Sequence, residues 1–265
     1  MKLSISNLSW GNKPIIEFAE SLEDVGIDGV EIAPSLIWPE PEKVHLNDVK
    51  KVKEQLLESG LKVSGIQSLL YGHPEFQLFQ PEMWRSMKMH LEKMFELSST
   101  LDSKVAVFGS PKNRIKGNLN SNNANEIASE FLASLVPSLE NNDVVLTLEP
   151  NAREYGADYL ISYEDVCSLS QIIGSNRIAP QIDTGCLWMN GEQPKLALMR
   201  QMPHHIHLST PNLGEVPGES NFKEFLDLAK ELNYSKWITI ETLSTHQLNP
   251  SVAAKWLRTA VGRKP

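Results

Sequence analysis

Cysteine is scarce in this sequence, and no long apolar run is present. The two cysteines, Cys167 and Cys186, are too few for a disulfide framework among 265 residues, so we expect a reducing, cytoplasmic setting. No stretch reaches the roughly 18 consecutive apolar residues of a membrane span. The N-terminus, Met-Lys-Leu-Ser-Ile-Ser-Asn, lacks the long apolar segment of a signal peptide. These absences predict a protein without a membrane partner.

Positive charge is also in short supply. The 25 Lys and Arg residues are outnumbered by 33 Asp and Glu residues, which gives a formal net charge of −8. A broad nucleic-acid-binding surface needs the opposite balance, so we predict no nucleic-acid partner. The sequence has no Cys-x-x-Cys pair, and no Gly-x-Gly-x-x-Gly follows its first apolar run. Zinc-ribbon and dinucleotide-binding sites of the usual kind are therefore not expected. A homo-oligomer is compatible with this composition.

Short apolar runs alternate with longer amphipathic stretches along the whole chain. Hydrophobic residues make up 41% of the sequence, enough for a large core. The predicted strands are residues 2–6, 29–33, 61–70, 104–109, 144–149, 178–183, 205–208 and 237–241. The predicted helices are residues 14–25, 48–59, 81–101, 126–139, 163–173, 193–201, 222–232 and 250–261.

This regular alternation predicts an α/β fold. Strand–helix repeats imply a parallel sheet with right-handed crossovers. Eight such units, with no linker or change in composition between them, favour a single (β/α)₈ TIM barrel domain over residues 1–265. A doubly wound open sheet is the alternative. It is less favoured because the candidate functional residues follow too many different strands.

Four of the later predicted strands carry a metal-binding residue at or near their C-terminal ends. Residues 144–148 form an apolar run that stops at Glu149 and Pro150. The corresponding residues of the next three strands are Asp183, His207 and Glu241. In a barrel these strand ends converge on one face, so residues distant in sequence are expected to meet there.

The chemistry of this set points to a divalent cation. Three carboxylates that lie close together raise one another's pKa, and a cation relieves the repulsion. Carboxylate oxygens with one imidazole suit a hard or borderline ion. We therefore predict one divalent metal ion, Mn²⁺, Mg²⁺, Co²⁺ or Zn²⁺. Taken singly, each residue also has a structural reading, as a helix N-cap or as a hydrogen-bonded core histidine.

The chain resembles the xylose isomerase-like TIM barrel superfamily, and within it the sugar phosphate isomerase/epimerase branch. The resemblance extends over nearly the whole chain, and its metal motifs say little about the substrate. It is carried by Gly29-Val30-Glu31-Ile32-Ala33, Phe108-Gly109-Ser110-Pro111-Lys112-Asn113-Arg114, Leu148-Glu149-Pro150-Asn151, Tyr155-Gly156-Ala157-Asp158-Tyr159, Ile182-Asp183-Thr184-Gly185, His205-Ile206-His207-Leu208-Ser209 and Ile240-Glu241.

The resemblance implies a metal-dependent sugar or sugar phosphate isomerase or epimerase. Glu149 and Glu241 would bind the metal and also move the proton through an enediolate, and Asp183 and His207 would be the remaining ligands. The expected partner is a small carbohydrate. The sequence also departs from the family pattern. Cys186 stands where many relatives have histidine, Thr210 stands where Glu is common, and residues 209–219 contain no arginine. These departures weaken the case for a free ketohexose as substrate.

Further candidates for substrate binding lie near the predicted strand ends. Lys112 and Arg114 follow strand four and are candidates for clamping a phosphate or carboxylate, although a solvated basic loop has the same composition. Glu31 is a candidate for contacting substrate or for a structural ion pair, and His73 for reaching substrate from its loop. The remaining candidates are Glu154, Cys186 and His205.

Three other functions remain open at this point. A dehydratase or keto-sugar lyase would use the same metal and base but expel a hydroxyl or a glycosidic oxygen. An AP-endonuclease-like phosphodiesterase would need more histidines and a basic face, against a net charge of −8. A degenerate barrel that serves as a binding module would have no reason to keep three carboxylates that repel one another.

Overall fold

The computed structural model describes residues 1–22, 24–216, 222–246 and 249–263. Within these ranges, eight parallel strands close into a barrel in the order β1 to β8, and β8 pairs with β1. This confirms the predicted α/β fold and the (β/α)₈ architecture. Residue 23 of the predicted helix 14–25, and residues 217–219 of the segment without arginine, lie outside the described residues.

The observed elements follow the predicted alternation closely. The strands are β1 Lys2–Ser6, β2 Gly29–Ile32, β3 Lys62–Ile66, β4 Val105–Phe108, β5 Val145–Leu148, β6 Ile178–Asp183, β7 His205–Leu208 and β8 Trp237–Ile240. The helices are α1 Ile15–Leu22, α2 Leu46–Glu58, α3 Trp84–Thr100, α4 Ser121–Asn142, α5 Tyr163–Ile173, α6 Thr184–Met189, α7 Pro194–Arg200, α8 Phe222–Glu231 and α9 Pro250–Ala260.

Local capping chemistry explains where several helices begin and end. α5 starts at a capping box between Ser162 and Asp165 and ends at Gly174, whose φ of +66° suits glycine. α4 begins five residues earlier than predicted because the side chain of Asn120 accepts a hydrogen bond from the Asn123 amide. α2 begins at Leu46, two residues before the start predicted from the sequence, and His45 is its N-cap residue.

Helix α6 was not predicted. It follows β6 directly, and its N-cap is Asp183, whose side chain accepts a hydrogen bond from the Cys186 amide. Asp183 therefore ends a strand and starts a helix at once. This leaves the carboxylate little freedom to move.

The interior of the barrel is polar below the strand ends. Gln67, after β3, donates to Ser6 of β1 at 2.7 Å, and His205 of β7 contacts Glu31 of β2 at 2.7 Å. These strands are not neighbours, so both contacts cross the barrel interior. The apolar core lies outside the strands, where the helices pack against them. In the described part of the chain, no helix has the length and hydropathy of a membrane span.

Candidate metal centre

The four predicted ligands meet at one point on the C-terminal face of the barrel. Each of Glu149, Asp183, His207 and Glu241 offers one ligand atom within 4.8 Å of the others. His207 Nδ1 lies 2.8 Å from Glu149 Oε1, 3.2 Å from Glu241 Oε2 and 3.9 Å from Asp183 Oδ2. All four residues are buried, with at most 8% of their surface exposed.

The imidazole of His207 is oriented as a metal ligand would be. Its Nε2 donates to Glu31 Oε1 at 3.0 Å, and its Nδ1 faces the three carboxylates. Among the described residues, this buried Nδ1 has no partner with hydrogen-bond geometry, although two carboxylate oxygens lie close to it. A histidine that binds a metal through one ring nitrogen usually donates from the other nitrogen to a carboxylate. The arrangement of His207 and Glu31 matches this pattern.

The electrostatics of the cluster also favour a cation. Burial and the neighbouring Glu149 and Glu241 carboxylates raise the pKa of Asp183 to about 7. Burial opposes charge on His207, but the pKa of its imidazole is held well above the usual value by Glu31, Glu241 and Glu149. In the absence of a metal, the site therefore retains protons that a divalent ion would displace.

The structure places Glu31 and His205, two residues predicted to contact substrate, inside the barrel. Both side chains are completely buried, and their contact with a substrate remains a prediction. Glu31 accepts from His205 Nε2 at 2.7 Å and from His207 Nε2 at 3.0 Å. Burial works against its charge, yet His207 and His205 hold the pKa of Glu31 well below the usual value. Glu31 lies behind His207, where it fixes the imidazole ring.

Asp183 is held by groups that the sequence interpretation missed. Its Oδ1 accepts from the Cys186 amide at 2.6 Å and from Ser209 Oγ at 2.8 Å. A Cβ on Gly185 would lie 2.6 Å from Ser209 Oγ, so the turn needs glycine. The Cys186 thiol is buried, and its pKa lies well above the usual value because of burial and the nearby Asp183 and Glu149 carboxylates. It stays protonated, and a substrate contact by Cys186 remains a prediction.

Glu149 is positioned from three sides. Gln181 Nε2 donates to its Oε1 at 2.8 Å, and Asn151 Nδ2 donates to its Oε2 at 3.3 Å. A Cβ on Gly109 would lie closer than 3.0 Å to Glu149 Oε2, so only glycine leaves room for the carboxylate. Asn151 and Gly109 both lie in the sequence motifs that carry the family resemblance, but the sequence did not indicate what either residue does.

Arg114, predicted to clamp an anion, is instead enclosed by backbone carbonyls and an amide side chain. Its side chain is completely buried. Nη2 donates to the Glu149 carbonyl at 2.6 Å and to Asn151 Oδ1 at 2.7 Å, and Nη1 donates to the Phe108 carbonyl at 3.3 Å. Burial lowers the pKa of Arg114 to about 10, so it remains charged at neutral pH. The guanidinium supports the Glu149 segment and is not available to substrate.

Three of the predicted substrate residues line one cleft. His73, Lys112 and Glu154 border a space of about 600 Å³ between the loops that follow β3, β4 and β5. Lys112 and Glu154 are exposed, and His73 is partly exposed. The size lies within the usual range for small-molecule sites. Their contact with a substrate remains a prediction.

Tyr155 lines this cleft beside Glu154, and the sequence interpretation did not select it as a candidate. The pKa of its phenol is raised by burial and, beyond that, by Cys186, Asp183 and Glu241, which places the ring near the ligand cluster. The phenol therefore stays protonated at neutral pH.

Comparison with known proteins gives one family and a set of structural neighbours. The family profile described as "Xylose isomerase-like TIM barrel" matches residues 19–260. A D-psicose 3-epimerase from Clostridium cellulolyticum H10 superposes with a TM-score of 0.78 at 15% identity, covering 98% of this chain and 99% of that one. A 3-keto-D-glucoside 4-epimerase from E. coli gives 0.75 at 18% identity, with 98% and 99% covered.

A third neighbour carries a different description. The AP endonuclease, family 2, from Brucella melitensis has a TM-score of 0.78 at 16% identity and covers 98% of this chain and 99% of that one. At these identities the neighbours establish the fold alone. The comparison with curated proteins found no significant match.

Proposed function

Since this chain belongs to the xylose isomerase-like TIM barrel family, we propose that it is a metal-dependent sugar isomerase or epimerase. The observation that carries the proposal is a difference in solvent exposure among the four candidate ligands. The side chains of Glu149 and Glu241 keep 11% and 9% of their surface exposed, whereas Asp183 keeps 2% and His207 none. The two glutamates are therefore the ligands that a substrate can reach.

Glu149, Asp183, His207 and Glu241 would hold the ion. When bound, a divalent ion such as Mn²⁺, Mg²⁺, Co²⁺ or Zn²⁺ supplies Lewis-acid polarisation of a substrate carbonyl. The buried Asp183 and His207 contribute ligation alone, because neither has the surface to take a proton from substrate.

The two glutamates move the protons. β5 and β8 are separated by β6 and β7, which supply Asp183 and His207, so Glu149 and Glu241 approach a substrate from different sides. One glutamate removes a proton from the carbon beside a carbonyl. Return of a proton to the opposite face by the other glutamate gives epimerisation, and return to the neighbouring carbon gives aldose–ketose isomerisation.

The fixed position of Glu149 suits this role. Gln181 and Asn151 each donate to one of its carboxylate oxygens, and the buried Arg114 holds both its carbonyl and Asn151. A base that is held before substrate arrives loses little entropy when it reacts. We assign Arg114 to positioning and not to substrate binding.

The adjoining cleft suggests a substrate larger than one sugar ring. Its volume of about 600 Å³ extends from Tyr155 towards Lys112 and His73. Lys112 would pair with a phosphate or carboxylate on the substrate, and Glu154 would accept from hydroxyl groups. A sugar with an anionic or glycosidic substituent therefore fits better than a free ketohexose.

A screen in D₂O tests this function. Protein loaded with Mn²⁺ is incubated with free ketoses, sugar phosphates and keto-glycosides, and the products are followed by NMR. Deuterium at the carbon beside the carbonyl, with formation of a new diastereomer or of the isomeric sugar, is the expected result. Metal-loaded protein that exchanges no proton in any of these classes would contradict the proposal.

A dehydratase or keto-sugar lyase is the second candidate. The observation in its favour is Tyr155, a protonated phenol near Asp183 and Glu241 that could give its proton to a departing oxygen. In the same screen, loss of water or of the glycosidic group would identify this reaction.

A phosphodiesterase that acts on abasic DNA is less favoured, since the net charge is −8. Tight binding to abasic duplex DNA in moderate salt would reverse that order.

A further inference from the structure

A second group of metal-binding side chains lies on the same face of the barrel, outside the four-ligand centre. Glu42 is in the segment between β2 and α2, His73 is in the loop between β3 and α3, and His90 is in α3. Each offers one ligand atom within 4.8 Å of the other two. The imidazole centroids of His73 and His90 are 4.4 Å apart. Three separate segments thus converge on one small space.

Both histidines are arranged as metal-bound histidines usually are. A ligating imidazole commonly donates its other N–H to a carboxylate or a backbone carbonyl. His73 Nδ1 lies 3.0 Å from Glu75 Oε1, and His90 Nε2 lies 2.7 Å from the Leu69 carbonyl. These contacts leave His73 Nε2 and His90 Nδ1 free to bind an ion.

Glu42 supplies the oxygen. In the described residues, its Oε2 atom is buried without a hydrogen-bond partner. A buried carboxylate oxygen in that state costs free energy unless a cation or a donor reaches it. Burial lowers the pKa of the His90 imidazole below its usual value.

We propose that Glu42, His73 and His90 form a second divalent metal site, suited to Zn²⁺, that holds the loops after β2 and β3 against α3. Two imidazole nitrogens and one carboxylate oxygen are a common zinc set, with water or a further carboxylate in the fourth position. Tetrahedral ligands at about 2.1 Å lie about 3.4 Å apart, so small side-chain rotations close the set around an ion. Phe76 stacks on His73 at 4.8 Å and limits the rotation of that ring.

The site bears on the substrate cleft without depending on the proposed reaction. His73 lines the cleft that Lys112 and Glu154 also border. An ion bound there would fix one wall of the cleft. Its ligand set is also richer in nitrogen than the active centre, which has three carboxylates and one histidine. We therefore expect Zn²⁺ to favour the second site more strongly than Mn²⁺ does.

The test counts zinc in the full-length protein. Chelator-treated protein is titrated calorimetrically with Zn²⁺ alone, and bound metal is measured after desalting. His73→Ala and Glu42→Gln should each bind one zinc ion fewer per chain than the wild type. Glu75→Gln should weaken that ion 10- to 100-fold, the usual effect of losing the carboxylate behind a ligating histidine. His45→Ala is the matched control, since His45 is an exposed histidine on a neighbouring segment.

Equal zinc content and affinity in the wild type, His73→Ala and Glu42→Gln would overturn the proposal and leave these residues as a packed aromatic and ionic cluster. Mn²⁺ binding at the four-ligand centre and thermal melting report whether each variant is folded. Should His73→Ala fail to fold, Glu75→Gln decides the question, because 49% of the Glu75 side chain is exposed and it is not a ligand. Unchanged zinc affinity in folded Glu75→Gln would then overturn the proposal.

Discussion

Gly109→Ala tests whether the Glu149 carboxylate is a ligand whose position matters. Gly109 follows β4, and a Cβ there would lie closer than 3.0 Å to Glu149 Oε2, a separation that real Cβ atoms essentially never show. Ordinary contact begins near 3.4 Å. The carboxylate therefore has to move by about 1 Å, a displacement large enough to disturb catalysis. The substitution changes no ligand and no charge.

The displaced oxygen belongs to a carboxylate held by Gln181 and Asn151, so the movement also strains their hydrogen bonds. Substitutions of groups that orient a ligand usually cost 10- to 100-fold in metal affinity. We expect Gly109→Ala to bind Mn²⁺ about 10- to 100-fold more weakly than the wild type, with a nearly unchanged melting temperature in the absence of metal. Titration of free Mn²⁺ by electron paramagnetic resonance measures the affinity directly.

Gly65→Ala is the matched control. Gly65 lies in β3 and also faces a residue behind the centre, since an added Cβ would lie 3.4 Å from Glu31 Cδ and from Val105. That distance is ordinary van der Waals contact, so neither neighbour has to move. Mn²⁺ is used because its preference for oxygen ligands directs it to the three-carboxylate centre. If Gly109→Ala is folded and binds Mn²⁺ within twofold of the wild type, Glu149 is not a position-sensitive ligand and the reasoning fails.

Three more outcomes are expected. Glu31→Gln removes the carboxylate behind His207 and should weaken Mn²⁺ binding 10- to 100-fold in the same titration, an outcome that wild-type affinity would contradict. Arg114→Met leaves buried acceptors without donors and should lower the free energy of unfolding by about 3 kcal/mol in urea denaturation; an unchanged value would remove its positioning role. The folded pKa of Asp183, about 7, exceeds its unfolded value of about 3.9, so the metal-free protein should lose stability between about pH 4 and 7. The rise in melting temperature on adding Mn²⁺ should therefore be larger at pH 8 than at pH 5.5, and a constant rise would contradict this.

Strand ends were the most predictable part of this molecule. The apolar run that stops at Glu149 and the strand that stops at Asp183 each signal a carboxylate at a sheet edge, and barrel closure then brings the ends together. Alternation of strands and helices was enough to predict that closure. This is why the four candidate ligands could be found from sequence as a set.

The roles of Arg114 and Glu31 could not be predicted in the same way. A basic residue in a loop after a strand usually faces solvent, but Arg114 folds back to satisfy the Phe108 and Glu149 carbonyls. Glu31 lies on β2, far in sequence from His205 and His207 on β7. Only the closed barrel shows that the three side chains meet across its interior. Such long-range contacts leave no local signal in the chain.

Helix α6 and the early start of α4 were missed for a local reason. The fourth helix was predicted to begin at residue 126, but Asn120 caps a helix that begins at Ser121, within a polar, Asn-rich stretch. For Asp183, the sequence offered a metal ligand and a helix N-cap as alternatives, but in the structure one of its oxygens caps α6 while the other faces the cluster. The helix itself was missed because its six residues are too few to show a clear amphipathic pattern.

The central claim is that Glu149 and Glu241 both bind the metal and move the proton. Each is replaced by Gln, which keeps the size and one oxygen donor but cannot take a proton. Each variant is then loaded with Mn²⁺ and incubated in D₂O with the substrate found in the screen. We predict that both retain some metal and lose turnover by about 10²-fold or more. If the reaction is epimerisation, either variant can still exchange deuterium on the face served by the remaining glutamate without forming product. Full turnover in either metal-loaded variant would contradict the account and leave that glutamate as a ligand only.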